Sequence, residues 1–311
     1  MSAPVAAIDC GTNSIRLLIA RPAEDGRGLV DLERRMEVVR LGYGVDRTGR
    51  FDPEAIARTL AATREYAELI ARHGVERVRF VATSATRDAS NREEFIDGVR
   101  AILGIAPEVI PGDVEAELSF RGAVTTLGDL PAGQRVVVDI GGGSTELVAG
   151  IDVPSHRISL DIGSVRLTER HLRDDPPTSE QIGRARADIE TMLDQAQLEV
   201  PLGATTTLVG VAGTVTTLTA LAEGLEAYSP DVTHGSEIDI AAMREVCWQV
   251  LAMSTAERSR HRIIHPGRID VIGAGALIWD LVLARVQEAS GLTTVRSSEH
   301  DILDGIALSL V

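Results

Sequence analysis

The chain has 311 residues, 44% of them hydrophobic and 25% charged, with a formal net charge of −15. That length and balance describe a globular chain able to bury the cores of two domains, and the acidic excess excludes general nucleic-acid binding, which relies on a basic face to displace counterions. No apolar run approaches the ~20 residues of a membrane span, and residues 1–7 lack the charged-then-apolar order of a signal peptide, so a cytoplasmic protein without a membrane partner is expected. Cys10 and Cys247 sit in apolar patterns as small hydrophobes. All 31 cationic residues are arginine and none is lysine. A genome-wide codon bias is the expected origin of most of the surface arginines; those beside glycine turns are candidates for gripping phosphate oxygens in pairs.

In chain order, Ala6 to Leu18 reads as strand, turn and strand, with Asp9 ending the first strand and Gly11-Thr12-Asn13-Ser14 turning it. Val30 to Leu41 alternates as a third strand, and Gly42, Gly44 and Gly49 mark a loop. Asp52-Pro53 opens a helix with an N-cap and a first-turn proline; Ile56, Leu60, Ala67 and Ile70 form its apolar face, and Gly74 closes it. Val78 to Ala82 is a short buried strand leading into Thr83 to Ala89, a small-residue loop carrying Arg87. Asn91 and Glu94 resemble a capping box for the next helix. Pro107 to Ile110 is a strand, and a helix with an acidic first turn runs from Asp113 to Val124.

The second half repeats this order more loosely. Val136 to Leu147 reads Val-Val-Val-Asp-Ile-Gly-Gly-Gly-Ser-Thr-Glu-Leu, a buried strand ending in Asp139 and a turn built on Gly141, Gly142 and Gly143. It superposes on the first hairpin with Asp9 over Asp139, Gly11 over Gly141, Ser14 over Ser144 and Leu17 over Leu147. The hairpin ends near Val153, Ile158 to Leu160 is extended, and Gly163-Ser164-Val165-Arg166-Leu167 is a further small-residue turn. Ser179 caps a helix carrying Ile182, Ala185, Ile189 and Leu193, Thr207 to Val211 is a strand, and Gly213-Thr214 turns it into another helix. Ser254 and Glu257 form a capping-box signal, Ile269 to Val286 is a long apolar helix, and Ser298 to Leu310 is the last.

Glycine turns of this kind offer several backbone N–H groups to one anion. Both join strand to strand, whereas a Walker loop joins strand to helix and needs a lysine. Two such hairpins predict two similar halves facing each other across a phosphate-binding cleft. Asp9 and Asp139, at equivalent strand ends, suit a magnesium ion held against phosphate oxygens. Asp113 and Glu117 complement the helix dipole. Glu115, in the first helical turn, could reach a water aligned behind a terminal phosphorus.

Six stretches, Ile8 to Leu18, Ala82 to Ala89, Gly112 to Gly122, Asp139 to Glu146, Gly163 to Leu167 and Gly210 to Leu218, together resemble the exopolyphosphatase and guanosine pentaphosphate phosphohydrolase (Ppx/GppA) family. The resemblance implies an α/β, actin-like (ASKHA, Hsp70-like) ATPase fold: residues 1–122 as one domain, 123–297 as the other, and 298–311 as a final helix returning to the first. It implies Glu115 as the general base, Arg87 as the active-site arginine, and Asp139 as the magnesium-associated aspartate, with Asp9 and Glu146 as further metal candidates. Phosphate contacts would come from Gly11, Thr12, Asn13 and Ser14; from Gly141, Gly142, Gly143 and Ser144; from Gly163, Ser164 and Arg166; and from Gly213 and Thr214.

The implied activity is metal-dependent release of orthophosphate from the end of inorganic polyphosphate, with Mg²⁺ or Mn²⁺ as cofactor and a homodimer as the assembly. Guanosine pentaphosphate or tetraphosphate is the alternative ligand class. A kinase of the same fold, or a non-catalytic sensor of polyphosphate or alarmone, are the competing readings. Where the family carries an arginine-rich signature before its last helix, this chain has Val295 to Gly305 with Glu299, Asp301 and Asp304, and it ends at Val311 without the extra domain of longer members. Short polyphosphates, released after each cut, are therefore the expected substrates.

Overall fold

The computed structural model describes residues 3–24, 28–128 and 130–311. The chain divides into two compact units, Met1–Thr126 with Ile302–Val311, and Leu127–Asp301.

In the first unit, β1 (Val5–Cys10), β2 (Ser14–Pro22) and β3 (Leu29–Val38) form an antiparallel meander. After α1 (Val45–Thr48) and α2 (Pro53–Arg72), β4 (Arg77–Ala82) lies parallel to β1; α3 (Ser84–Asp88), α4 (Arg92–Leu103), β5 (Glu108–Val109) and α5 (Gly112–Thr126) follow. The sheet order is β3-β2-β1-β4-β5. Strand alternation divides its residues between two cores. Ala6, Ile8, Ile15 and Leu17 meet Tyr66 and Phe95 of α2 and α4, while Val5, Ala7, Leu18 and Ala20 meet Leu118 of α5. By the same alternation Asp9 and Arg16, which are ladder partners, fall on the α5 side.

The second unit comprises β6 (Gln134–Ile140), β7 (Thr145–Gly150), β8 (Pro154–Leu160), α6 (Ser164–Arg170), α7 (Ser179–Glu199), β9 (Thr205–Val211), α8 (Ala212–Ala222), α9 (Pro230–Thr233), β10 (Glu237–Asp239), α10 (Ile240–Ala252), α11 (Thr255–Arg258), α12 (Ile272–Ser290) and β11 (Thr294–Ser297). Its order is β10-β11-β9-β6-β7-β8. Leaving aside the edge strand β10, strands β8-β7-β6-β9-β11 repeat the order of the first unit, with an antiparallel meander and then parallel neighbours. This repeated mixed sheet with flanking helices is the expected actin-like α/β architecture. The last helix, α13 (Ile302–Leu308), belongs to the first unit and packs on α5, β1 and β2.

Several local expectations are corrected. Thr83 to Ala89 is not a plain loop: the Thr83 carbonyl accepts from the Thr86 and Arg87 N–H groups at 3.0 and 3.1 Å, and α3 forms. Asn91 caps nothing with its side chain, because Oδ1 accepts from the Phe51 N–H at 2.8 Å and Nδ2 donates to the Phe51 carbonyl at 3.2 Å. Gly163 opens a helix rather than a turn. The cap of α7 is Thr178, one residue before Ser179, in a capping box with Gln181. The long apolar helix begins at Ile272 and reaches Ser290. The tail from Ser298 is split, with residues 298–301 preceding α13 as an irregular segment. The Asp52 N-cap, with its oxygen on Glu54 N–H at 2.7 Å, and the Ser254–Glu257 capping box form as expected.

Candidate active site

Both hairpin turns close on the same bond. Gly11 N–H donates to the Ser14 carbonyl at 2.9 Å, and Gly141 N–H donates to the Ser144 carbonyl at 3.0 Å. In the first unit the turn is pinned from outside. The Asn13 carbonyl accepts from the N–H groups of Val39 and Arg40 at 3.1 and 2.8 Å, the Thr12 carbonyl accepts from Gly42 N–H at 2.8 Å, and the hydroxyls of Thr12 and Ser84 share a bond of 3.0 Å. The turn is thereby coupled to α3, the element that carries Arg87.

Arg87 Nη1 donates to Glu115 Oε2 at 2.7 Å and to the Ile110 carbonyl at 2.9 Å. It ties the end of β5 to the first turn of α5, while Nε and Nη2 remain available on a side chain 23% exposed. Glu115 is buried, and burial raises its pKa above the ordinary carboxylate value. The Arg87 charge and hydrogen bond pull it down, Asp9 pushes it up, and a Thr83 side-chain bond pulls it down; burial prevails. Asp9 is buried too, and its Oδ2 accepts from Arg16 Nε at 3.0 Å and Nη2 at 2.7 Å. A buried carboxylate with an elevated pKa, held at one oxygen by an arginine, is suited to general-base work near neutral pH.

In the second unit the turn of Gly141 to Ser144 is braced by the start of α6. Ser164 N–H donates to the Gly141 carbonyl at 3.0 Å, Val165 and Arg166 N–H groups donate to the Gly142 carbonyl at 2.9 and 3.1 Å, and Arg166 Nε donates to the Gly143 carbonyl at 2.6 Å. Gly163 is required by proximity: a Cβ there would lie 2.4 Å from the Gly142 oxygen. Asp139 and Glu146 are buried ladder partners, and Ser159 donates its hydroxyl to Glu146 Oε1 at 2.7 Å. These two hard oxygen donors fit Mg²⁺ or Mn²⁺, which take one or two carboxylates and complete the shell with water and phosphate oxygens. Among the described residues no group of three acidic, histidine or cysteine side chains gathers as a fuller cage.

Gly213 and Thr214 lie in the first turn of α8, entered through Ala212 at φ 66°. The guanidinium of Arg268 covers that turn so closely that a Cβ on Gly213 would fall 2.0 Å from its central carbon.

The model of the Ppx/GppA phosphatase family matches residues 18–310. The chain belongs to this family. It is 51% identical over 316 aligned residues to Exopolyphosphatase 2 of Mycobacterium tuberculosis, covering 98% of each chain. Among solved structures, it resembles an Aquifex aeolicus Ppx/GppA family member (35% identity, TM-score 0.81, 98% and 96% of the two chains). An exopolyphosphatase from Cytophaga hutchinsonii aligns at 25% identity with a TM-score of 0.89, over 98% and 97%.

Within this family framework the first unit brings Asp9, Arg16, Thr83, Arg87 and Glu115 into one interacting set, and the second brings the Gly141 turn together with Gly163, Ser164 and Arg166. Sequence reasoning missed Ser84, Ser159 and Arg268. The two serines are ordinary small residues until the fold places them beside Thr12 and Glu146. Arg268, in a short 3₁₀ turn Pro266–Arg268 far along the chain from Gly213, carries no local signal. Among the described residues no helix is long and apolar enough to cross a membrane.

Proposed function

We propose that this chain is an exopolyphosphatase that removes terminal orthophosphate from inorganic polyphosphate. The observation that carries the reading is the Arg87–Glu115 pair, a base with a raised pKa and an arginine with guanidinium donors to spare, in a chain of the Ppx/GppA family. Glu115 takes a proton from water as the water oxygen bonds to the terminal phosphorus; the bridging P–O bond breaks and the shortened polyphosphate leaves as an anion. Arg87 Nε and Nη2 bear on the transferred phosphoryl oxygens, where charge must be stabilised in the transition state. The glycine turn in each unit offers N–H groups suited to phosphate oxygens. Asp139 and Glu146 would hold Mg²⁺ or Mn²⁺, with Asp9 kept to its ion pair with Arg16; the bound ion neutralises phosphate charge. With a net charge of −15, long polyanions meet a repelling field, and short polyphosphates are the favoured substrates. We place the enzyme in the cytoplasm as a homodimer.

The test is phosphate release, by malachite green, from size-fractionated polyphosphates, guanosine pentaphosphate and ATP in parallel, with Mg²⁺ and with chelator. Fastest release from short polyphosphate supports the reading. Faster release from guanosine pentaphosphate transfers the assignment to the alarmone, and tight binding without any release would make the protein a sensor.

A further inference from the structure

Glu115 is placed by α5, and α5 is seated by the chain's last helix. Helix α13 shares a core with α5 on one face of the first unit's sheet, where Leu118 and Ile110 meet Ile302, Leu303 and Ile306. At Gly305 the two helices come close. A Cβ at that position would lie 2.0 Å from the Leu118 carbonyl oxygen, 2.7 Å from its carbonyl carbon and 3.0 Å from its Cα. All three are backbone atoms of α5, so no rotamer change relieves the clash and one helix must move. The neighbouring residue fixes the other side of α13: Asp304 is buried, and Arg34 of β3 donates to it through Nη1 at 3.3 Å and Nη2 at 2.5 Å. Helix α13 is thus held against the sheet by an ion pair while its glycine admits the backbone of α5.

Leu118 lies one helical turn beyond Glu115. Its displacement carries the first turn of α5 with it, whereas Arg87 stays tethered to the Ile110 carbonyl at the end of β5. The bond most exposed to such a shift is the 2.7 Å contact from Arg87 Nη1 to Glu115 Oε2.

We propose that Gly305 is a positioning residue for hydrolysis: the side chain it lacks lets α13 seat against α5 at the depth that puts the Glu115 carboxylate in register with Arg87. The inference rests on Glu115 being the base. A base displaced by ~1 Å can lose on the order of 10²-fold in rate without touching the groups that bind substrate.

The experiment is a double-mutant cycle on the full chain, using Gly305→Ala and Glu115→Gln with a short polyphosphate, read as single-turnover rate and KM, with circular dichroism to confirm folding. In the wild-type background Gly305→Ala is expected to lower the rate ~10²-fold with KM within several-fold. In the Glu115→Gln background the same change should cost less than about threefold, because the base it misplaces is already absent. An equal loss in both backgrounds, or no loss in the first, overturns the proposal. Full activity of Glu115→Gln alone would instead remove Glu115 from the mechanism, a separate failure. Should Gly305→Ala not fold, Asp304→Asn, which loosens the seat from the Arg34 side without a clash, runs through the same cycle with the same criterion.

Discussion

In hairpin β1–β2 the residue across the ladder from Asp9 is Arg16, and two guanidinium nitrogens close on one carboxylate oxygen. In hairpin β6–β7 the residue across from Asp139 is Glu146, so the same position sets a second carboxylate beside the first. The turns themselves match to within 0.1 Å at their closing bond, 2.9 against 3.0 Å. The two hairpins share this turn bond and differ in charge at the ladder position opposite the aspartate. The first hairpin answers its aspartate with a cation from its own strand and stands beside the Arg87–Glu115 pair. The second concentrates acids and is suited to an external cation. On the mechanism proposed above, proton transfer falls to one unit and metal binding to the other.

The sharpest way to break the comparison is at the base. Glu115→Gln keeps shape and hydrogen bonding but cannot take a proton, and should lower kcat by ~10²–10⁴ with KM within several-fold. A residual kcat above about a tenth of wild type would end the assignment of proton transfer to the first unit.

Arg87 is next in expected size. Its bonds to Glu115 and Ile110 both come from Nη1, so a lysine ammonium could imitate them but leaves no fork for the phosphoryl oxygens. Arg87→Lys should cost ~10² in kcat/KM, the scale of one transition-state donor. Equal kcat/KM for the two proteins would show that the arginine serves only to hold Glu115.

Neutralising each of the two ladder positions in turn tests the division directly. Glu146→Gln should weaken the activation constant for Mg²⁺ by about 10–100-fold, the usual cost of disturbing a metal's carboxylate environment. Arg16→Gln should leave that constant alone and raise KM for polyphosphate. Titrations of activity against free Mg²⁺ for both variants separate the outcomes, and an identical response of the two would erase the distinction between the hairpins.

The hairpins, the buried strands and the acidic first turn of α5 are legible in the sequence because each is carried by local pattern: β-branched runs, an Asp-x-Gly turn, an N-terminal glutamate. What escaped is mostly long-range. Asn91 has the local signature of a cap, yet its amide is engaged by the Phe51 backbone some forty residues earlier. Thr83 to Ala89 reads as a loop by propensity, and here the miss is local: the Thr83 carbonyl accepts from the Thr86 and Arg87 N–H groups and a short helix forms. Gly305 looks like an ordinary helix glycine until α5 lies against it, and Arg268 shows no tie to Gly213 until the fold stacks them. Glu115 is legible as a candidate base from its place in the first turn of α5 and as the general base from the family motifs; its elevated pKa is not, since burial belongs to the folded chain.

That elevation yields the smallest and most specific prediction. Burial is the main reason Glu115 binds its proton more tightly when folded than when unfolded, with Asp9 adding to it and Arg87 and Thr83 opposing. Between the ordinary carboxylate pKa and the raised one, the folded protein carries a proton that the unfolded chain lacks. Stability therefore falls as pH rises through that window, and the ionised Glu115 that the proposed mechanism uses is held at a cost to the fold. Glu115→Gln does not titrate and escapes the loss. The difference in Tm, variant minus wild type, should shift in favour of glutamine as pH rises above the ordinary carboxylate pKa and level off once wild-type Glu115 is ionised. Thermal unfolding without substrate across that range checks it. The acid limb of kcat/KM in the wild type should lie in the same window, since both report the free enzyme's Glu115. A pH-independent difference in Tm, or an acid limb at the ordinary carboxylate pKa, would mean that Arg87 outweighs burial and that Glu115 is ionised at little expense.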